Sequence, residues 1–472
     1  MKPKAIDLFA GPGGLSLGLI EAGFDVIAAI EYDEAAGRTY KQNIGNHVFT
    51  RDIRELDPSE IKKALGAKGS LQKGEDLALI AGGPPCPGFS LIGRSKISDL
   101  IEKGQFQASE DPRVKFLADD RNLLFEEFVK YVKSFQPKYF VMENVQGMES
   151  FQYEDEDSII DHIKSRFQRY EVSEKVLCAS DYGVPQDRNR IIFLGYHKKK
   201  ANPISFEEVE KGRVSKKLTA RDAIVDLSRA EPSDSGIVRV RDPGGGRLGK
   251  NFRRMMRDWE VWDDKKQERV RSTGGRKTNH ISRKPNARDM VLFPLIESGS
   301  ERFKEDERGT TWDGKRVVYG DLYDGSDSKW DNLAKKFEEA GLSVSTEEVD
   351  GKMRHFVEKL GVRKWIMYPS KGESGEGKFV DKFRRMKWDE PSPTIMAHLA
   401  KDGYMFIHPW LNRTISVREA ARLQSFPDSF DFQKGGGNSK SDMFRQVGNA
   451  VPPLLAKAIG ETIMQALGNS SD

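Results

Sequence analysis

Only two cysteines, Cys86 and Cys178, occur in 472 residues. So few thiols exclude a disulfide framework and fit a reducing cytosol. Nothing has the Cys/His spacing of a zinc site, so no metal is expected. No run approaches the ~18–20 apolar residues of a membrane span. The opening MKPKAIDLFAG enters a strand-like run at once and lacks signal-peptide architecture. A cytoplasmic chain without membrane association is therefore expected. No internal repeat is visible. Hydrophobic residues at 37% and charged residues at 32% make an ordinary, rather polar globular composition and exclude a disordered chain. The length implies a large domain with a second lobe.

The net charge of +4 says little, but its distribution says more. Residues 236–290 hold 16 Lys and Arg against 7 Asp and Glu, which leaves the rest of the chain net negative. A local basic block is either a polyanion-binding face or a solvated surface. His280, Arg283 and Arg288 lie in it.

The first 200 residues alternate apolar runs with amphipathic stretches. KAIDLFA (4–10), DVIAAIE (25–31), HVFTRDI (47–53), LALIAG (77–82), KYFVMEN (138–144) and RIIFLGY (190–196) read as strands. LLFEEFVKYVKSF (123–135) repeats apolar residues at helical spacing. This alternation predicts a doubly wound, mostly parallel α/β sheet, with ligands at the carboxyl ends of the strands. After residue 200 the alternation is lost and a lobe with long loops is expected. A helix at 329–341 ends at Gly341. Another is capped by Ser416 with Glu419 three residues on, and a proline-started helix closes the chain.

DLFAGPGGLSLGL (7–19) is a strand, a glycine turn and a helix, able to bring backbone N–H groups close to a ligand. Ser16 stands where a dinucleotide fingerprint wants a third glycine. Glu31 closes the next strand, where an acidic residue can hold ribose hydroxyls. An adenosine-containing cofactor without a pyrophosphate suits this pattern; a tight turn with no ligand is the alternative. GGPPCPGFS (82–90) braces Cys86 with Pro84, Pro85 and Pro87. Prolines restrict the loop, and rigid presentation suits a nucleophile. Cys178, in KVLCAS, has the setting of a structural thiol. Glu143 in MENV, and Arg188 and Arg190 in QDRNR, also stand at strand ends. They add a carboxyl group and two cations to the same crevice.

FAGPGGLSLGL, GGPPCPGFS, MENV, QDRNRIIFLG, REAARLQSFPD and QVGNAVPPLL stand in the order found in the DNA (cytosine-5) methyltransferases of bacterial restriction–modification systems. The chain resembles that family over about residues 4–200 and 390–468. The resemblance implies a Rossmann-like S-adenosylmethionine-dependent fold with a smaller, irregular target-recognition lobe. It implies a catalytic domain at 1–200, recognition at 201–405, and a segment 406–472 returning to the catalytic domain. Phe9, Gly11, Gly13, Leu15, Glu31, Asp52, Ile53, Pro84, Leu124 and Asn449 would line the cofactor. Cys86 would be the nucleophile, Glu143 the partner of the target base, and Arg188 and Arg190 supports of the base and the Cys86 loop. Ser90, Arg283, Thr394 and Ile395 would meet DNA. S-adenosylhomocysteine would be the product, and double-stranded DNA the substrate of a nucleoid-associated monomer. A cognate restriction endonuclease could be encoded separately.

Pro87 departs from the family's frequent Gln, and residues 91–120 and the recognition region are longer than usual. Three rivals stand beside this reading. An RNA cytosine methyltransferase is disfavoured by Glu143, which stands where one RNA family has a second cysteine, and its tRNA-modifying relatives by the absence of a Cys-Phe-Thr tripeptide. A non-catalytic DNA-binding module would not need Cys86, Glu143, Arg188 and Arg190 intact. A dinucleotide oxidoreductase explains only the glycine loop.

Overall fold

The computed structural model describes residues 2–72, 74–85, 123–150, 158–233, 238–239, 246–263, 266, 268–270, 276–283, 285, 287–295, 327–349, 352–359, 362–365, 385–400, 403–433 and 437–468. Cys86 and Ser90, expected as nucleophile and DNA contact, and the long stretch 91–120 lie outside these residues.

Seven strands form one sheet: β1 (Lys4–Leu8), β2 (Asp25–Glu31), β3 (Val48–Thr50), β4 (Leu79–Gly82), β5 (Tyr139–Val145), β6 (Tyr170–Cys178) and β7 (Asn189–His197). Their order is β3-β2-β1-β4-β5-β7-β6. The first five run parallel, whereas β7 is antiparallel to both β5 and β6. The order reverses between β1 and β4, and a crevice opens at such a switch point. Because β7 runs backwards, its first residues lie at the same sheet edge as the last residues of β5. β6 was not read as a strand from the sequence. Its middle, VSEKV, is half-buried with few apolar residues, as suits a sheet edge, so it lacks the apolar run that marks the central strands.

The pleat sorts side chains strictly. Ala5, Leu79, Ala81, Tyr139, Val141, Ile192 and Leu194 join one core. Ile6, Leu8, Ile80, Phe140, Met142, Ile191 and Phe193 join the other. The second core is roofed by α3 (Pro58–Ala67), α4 (Leu124–Phe135) and α5 (Ile159–Ser165). The first is roofed by α1 (Gly14–Ala22) and α2 (Glu34–Asn43) on the N-terminal side. On this face α1 packs on the last helix of the chain, Pro453–Gly468, joined through small residues. A Cβ on Gly14 would lie 2.3 Å from the Val451 carbonyl, one on Gly18 2.3 Å from that of Pro453, and one on Gly460 2.8 Å from Ala22. Gly14 and Gly18 thus let the C-terminal helix return onto the first helix, a role distinct from the cofactor approach assigned to the turn before them.

Between these parts lie α6 (Phe206–Glu210), α7 (Ala220–Ile224), β8 (Val238–Arg239), α8 (Arg247–Asp258), β9 (Val261–Asp263), β10 (Glu268–Val270), β11 (Arg276–Lys277) and α9 (Ala287–Leu295). Then come α10 (Asp327–Glu339) and the antiparallel β12 (Ser343–Val349), β13 (Lys352–Lys359) and β14 (Val362–Trp365). α11 (Val417–Leu423), α12 (Lys440–Asn449) and α13 (Pro453–Gly468) complete the described α-helices. The expected 329–341 helix is α10, with Gly341 at φ 75° just beyond it. Ser416 and Glu419 form the expected capping box of α11.

The apolar core does not divide at residue 200. Ile204, Phe206, Leu218, Ile224, Phe252, Met256, Trp259 and Val261 share the first core with α1 and α13. A separate core joins Leu292, Phe293, Trp330, Leu333, Phe337, Val357, Tyr404 and Ile407. The chain just after residue 200 thus carries enough apolar residues to extend the main core. No helix among the described residues is long and apolar enough to cross a membrane.

Candidate active site

Strand β1 stops where Phe9 takes φ 59°. Gly11 and Gly13 follow at φ 57° and 104°, left-handed values that favour glycine. An added Cβ on Gly11 would meet nothing within 4 Å, so this turn opens on space. The turn is held from below and from the side. Asp7, fully buried, accepts hydrogen bonds from Ser16 N (3.0 Å) and Ser16 Oγ (2.6 Å). Burial pushes the Asp7 carboxyl up to about 7, against those two donors. Ser16 Oγ also meets the Tyr40 hydroxyl at 2.8 Å, and Tyr40 meets His47 Nε2 at 3.0 Å. Ser16 thus anchors the helix start where a dinucleotide fingerprint has a third glycine.

Glu31 accepts from Gly11 N (2.6 Å) and Asp33 N (2.7 Å). Burial raises its pKa, which those backbone donors oppose. Two oxygens carry about four lone pairs, so acceptor capacity remains for a ligand's hydroxyls. Tyr32, next in sequence, is 74% exposed. Sequence reasoning missed it, although a large aromatic directly after a strand-end acid was the available signal. Asp52 caps the turn at Ile53 and is chelated by Arg54 through Nε at 3.1 Å. That hydrogen bonding, above all, lowers its pKa. Leu15, Ile53, Pro84 and Leu124 are buried, and Asn449, at the end of α12, is exposed.

At the other side of the crevice, Glu143 Oε1 lies 2.7 Å from Arg190 Nε, both side chains only 12–13% exposed. Register explains the pair: Arg190 is opposite Val145, so Glu143 and Arg190 are diagonal neighbours on one face. A Cβ on Gly83 would lie 2.9 Å from Glu143 Oε2. Glycine at this position therefore admits the carboxylate. Asn144 Nδ2 donates to the Pro84 carbonyl at 3.1 Å, tying the loop after β4 to β5 one residue beyond Glu143. This brace was not singled out from the sequence, where the side-chain direction of the ENV asparagine cannot be read.

Arg188, expected to support the base and the Cys86 loop, is buried at 2% exposure and donates to the carbonyls of Ile395 (3.2 Å) and Gly448 (2.9 Å). Burial, with the nearby Arg190, holds its pKa well below the ordinary arginine value. Ile395, expected at DNA, is fully buried, and Thr394 Oγ1 donates to the Asp187 carbonyl at 2.7 Å. Arg283 pairs with buried Asp289 and lies 4.8 Å over the Tyr404 ring. Of its basic stretch, Arg269 pairs with Glu21 of α1, and His280 is buried against the Ala230 carbonyl and Ser416 Oγ. The side chain of Arg288 lies outside the described residues. Net charge counts cations without knowing which are used internally.

The REAARLQSFPD run is a buried polar knot. Arg418 donates to the carbonyls of Thr278, Pro427 and Phe430. Glu419 takes both Arg413 Nη atoms at 2.7 and 2.8 Å. His408 Nδ1 accepts from the N–H groups of Trp410 and Leu411, so its Nε2 carries the proton and donates to Ser228 Oγ at 2.8 Å. Burial presses the His408 pKa down to about 3, in keeping with that neutral tautomer. Among the described residues no group of His, Cys, Asp and Glu could hold a metal.

The arrangement offers a glycine turn and acids for an adenosine-like ligand beside a fixed carboxylate–guanidinium pair. The sequence profile of C-5 cytosine-specific DNA methylases matches residues 3–465. The chain is 29% identical to the type II methyltransferase M.AgeI of Thalassovita gelatinovora, covering 98% of this chain and all of that protein. It is 31% identical to the type II methyltransferase M.DdeI of Desulfomicrobium norvegicum, covering 97% and 88%. In fold it is similar to a DNA modification methyltransferase encoded within an E. coli prophage, at TM-score 0.60, 22% identity and 99% coverage of both chains.

Proposed function

Because the chain belongs to the C-5 cytosine-specific DNA methylase family, we propose that Cys86, Glu143 and Arg190 carry its chemistry, with S-adenosylmethionine bound against the Phe9–Gly13 turn. The protein is a DNA (cytosine-5) methyltransferase, and its type II relatives place it with restriction–modification enzymes. A cytoplasmic, nucleoid-associated monomer acting on duplex DNA, with a separately encoded endonuclease as partner, is the matching biological setting. A catalytic body holding residues 1–200 and the C-terminal helices, with a recognition lobe between, is the matching domain plan.

The cofactor fits the residues present. Gly11 faces open space, Glu31 retains acceptor capacity for ribose hydroxyls, and Tyr32 and Phe9 offer aromatic faces. When bound, it supplies a methyl group on a positively charged sulfur. Leu15, Ile53, Pro84, Leu124 and Asn449 would complete its walls, with Asp52, which Arg54 already chelates, beside them.

Cytosine C5 is too weak a nucleophile to take that methyl unaided. The Cys86 thiolate adds to C6, and the ring becomes an enamine with electron density at C5. The Glu143 carboxyl group, oriented by Arg190, gives a proton to N3, which relieves the negative charge the addition builds on the ring, and takes it back when the C6–S bond breaks. With the cofactor bound, C5 would be alkylated as the S–CH3 bond breaks and its electron pair stays on sulfur, giving S-adenosylhomocysteine; loss of the C5 proton to a base and of the Cys86 thiolate from C6 then restores the aromatic ring. The target must leave the helix to reach Cys86, at a cost of a few kcal/mol, offset by phosphate contacts.

The carrying observation is the Glu143–Arg190 pair at the edge where the chain leaves β4 through Pro84 and Pro85. The test is transfer of labelled methyl groups to duplex DNA and to RNA side by side. Label on DNA, with a covalent complex on 5-fluorocytosine DNA, is expected; label on RNA alone, or no complex, overturns the reading. Stabilisation against heat by S-adenosylhomocysteine and not by NAD separates it from an oxidoreductase. A further expectation concerns Gly83. Gly83→Ala puts a methyl group against Glu143 Oε2, 2.9 Å away. Displacement of the carboxylate by a few tenths of an ångström or more lowers kcat about 10–100-fold, with little change in the cofactor's KM. Unchanged kcat counts against Glu143 as the group at N3.

A further inference from the structure

Ile395 is held at both of its main-chain atoms by buried side chains. Its N–H donates to Gln186 Oε1 at 2.9 Å, and its carbonyl accepts from Arg188 Nη1 at 3.2 Å. Each holder continues to a second place. Arg188 Nη2 reaches the Gly448 carbonyl at 2.9 Å. Gln186 Nε2 donates to Gln424 Oε1 at 2.5 Å, and Gln424 Nε2 reaches the Ala450 carbonyl at 2.6 Å. Both routes end on the carbonyls that flank Asn449. Gln186, Gln424 and Ile395 are fully buried, so water cannot replace these bonds when they stretch.

The two ends also meet directly. A Cβ on Gly448 would stand 2.4 Å from Ala397 N, so the end of α12 and the backbone after Ile395 pack without a side chain between them. The segment before Ile395 is sewn to the same strand approach: Ser392 N donates to the Pro185 carbonyl, and Asp187 N to that of Ser392. Thr394 precedes the gripped residue and is half-buried, while Asn449, between the two gripped carbonyls, is exposed.

We propose that Arg188 and the Gln186–Gln424 pair are positioning residues that rigidly link the Thr394–Ile395 segment to the turn bearing Asn449, so that occupancy by DNA and occupancy by the cofactor strengthen each other. The proposal rests on the methyltransferase reading, which assigns the first segment to the DNA side and Asn449 to the cofactor pocket. Neither Arg188 nor the glutamines touch a reacting atom. Their effect is on where two backbone segments stand. Coupling of this kind is reciprocal: each ligand changes the other's affinity by the same factor.

The test uses the full-length protein, S-adenosylhomocysteine, and a duplex carrying the motif mapped by 5-methylcytosine sequencing of DNA from an expressing host. Calorimetry gives the affinity for S-adenosylhomocysteine with and without the duplex, and filter binding gives the reverse. In the wild-type protein each ligand tightens the other by the same factor, about 5–100-fold. Arg188→Lys keeps a cation but loses the two-pronged grip, and the factor falls at least fivefold. Gln424→Met keeps volume and cuts only the second route; the factor falls by a smaller amount. A purely structural role would lower thermal stability while leaving the coupling factor unchanged. A wild-type factor of one, or folded variants with the wild-type factor, overturns the proposal. If Arg188→Lys does not fold, Gln424→Met decides alone. Wild-type protein that binds neither ligand sinks the methyltransferase reading itself, and this proposal with it.

Discussion

Cys86→Ser abolishes the covalent complex with 5-fluorocytosine DNA and lowers turnover by at least about 10³-fold, in line with the loss of an activated nucleophile. A few per cent of an unperturbed thiol is ionised near neutral pH, whereas a serine hydroxyl is not ionised at all, and only the anion adds to C6. The loop up to residue 85 owes its course to backbone and neighbours rather than to the thiol. Gly82 packs so closely on β1 that a Cβ would stand 2.4 Å from the Leu8 carbonyl, and Asn144 holds the Pro84 carbonyl. The substitution therefore leaves the loop's base intact. DNA affinity stays within about threefold, because it comes from phosphate and groove contacts elsewhere. Denaturing gels with 5-fluorocytosine duplexes report the adduct, and filter binding reports the affinity. A persistent adduct, or turnover near the wild-type rate, removes Cys86 from the mechanism.

The second large effect is on stability. Arg422 is fully buried and binds Asp428 through Nε and Nη2 (the latter at 2.7 Å), Asp226 through Nη1 and Nη2 at 3.2 and 3.3 Å, and the Ala223 carbonyl. Burial alone would lower its pKa; Asp226 and Asp428 outweigh that and hold it above the ordinary arginine value. Arg422→Met leaves two buried carboxylates without their cation, which costs about 3–5 kcal/mol of unfolding free energy. Denaturant titration followed by tryptophan fluorescence measures it. The charge argument makes a second demand: adding Asp226→Asn and Asp428→Asn to Arg422→Met recovers a large part of the loss, since no unpaired charge remains. A loss below about 1 kcal/mol, or no recovery in the triple variant, shows that the knot contributes by shape alone.

Much of the catalytic half was legible from residues 4–200 because its signals are local. Apolar runs mark central strands, and strand-end positions place Glu31, Glu143 and the glycine turn at one edge. The capping box at Ser416 and the proline start of α13 are likewise written within a few residues. The edge strand β6 was not legible, because burial rather than propensity distinguishes it.

The sequence by itself determined the chemistry: one braced cysteine, one strand-end glutamate and a glycine turn, in an order that specifies the family. Only the tertiary structure decided which charged groups face the crevice and which are consumed inside. Arg188 and Arg190 are two residues apart on one strand approach. One is a buried brace between Ile395 and Gly448, and the other holds Glu143. Arg283, expected at DNA, pairs with buried Asp289, and Arg422 is held by Asp226 and Asp428. The physical reason is that a cation's role depends on what lies within about 3 Å of its end and on whether water reaches it. For these residues the partners lie 6 to 260 positions away in the chain, a separation that no local pattern encodes.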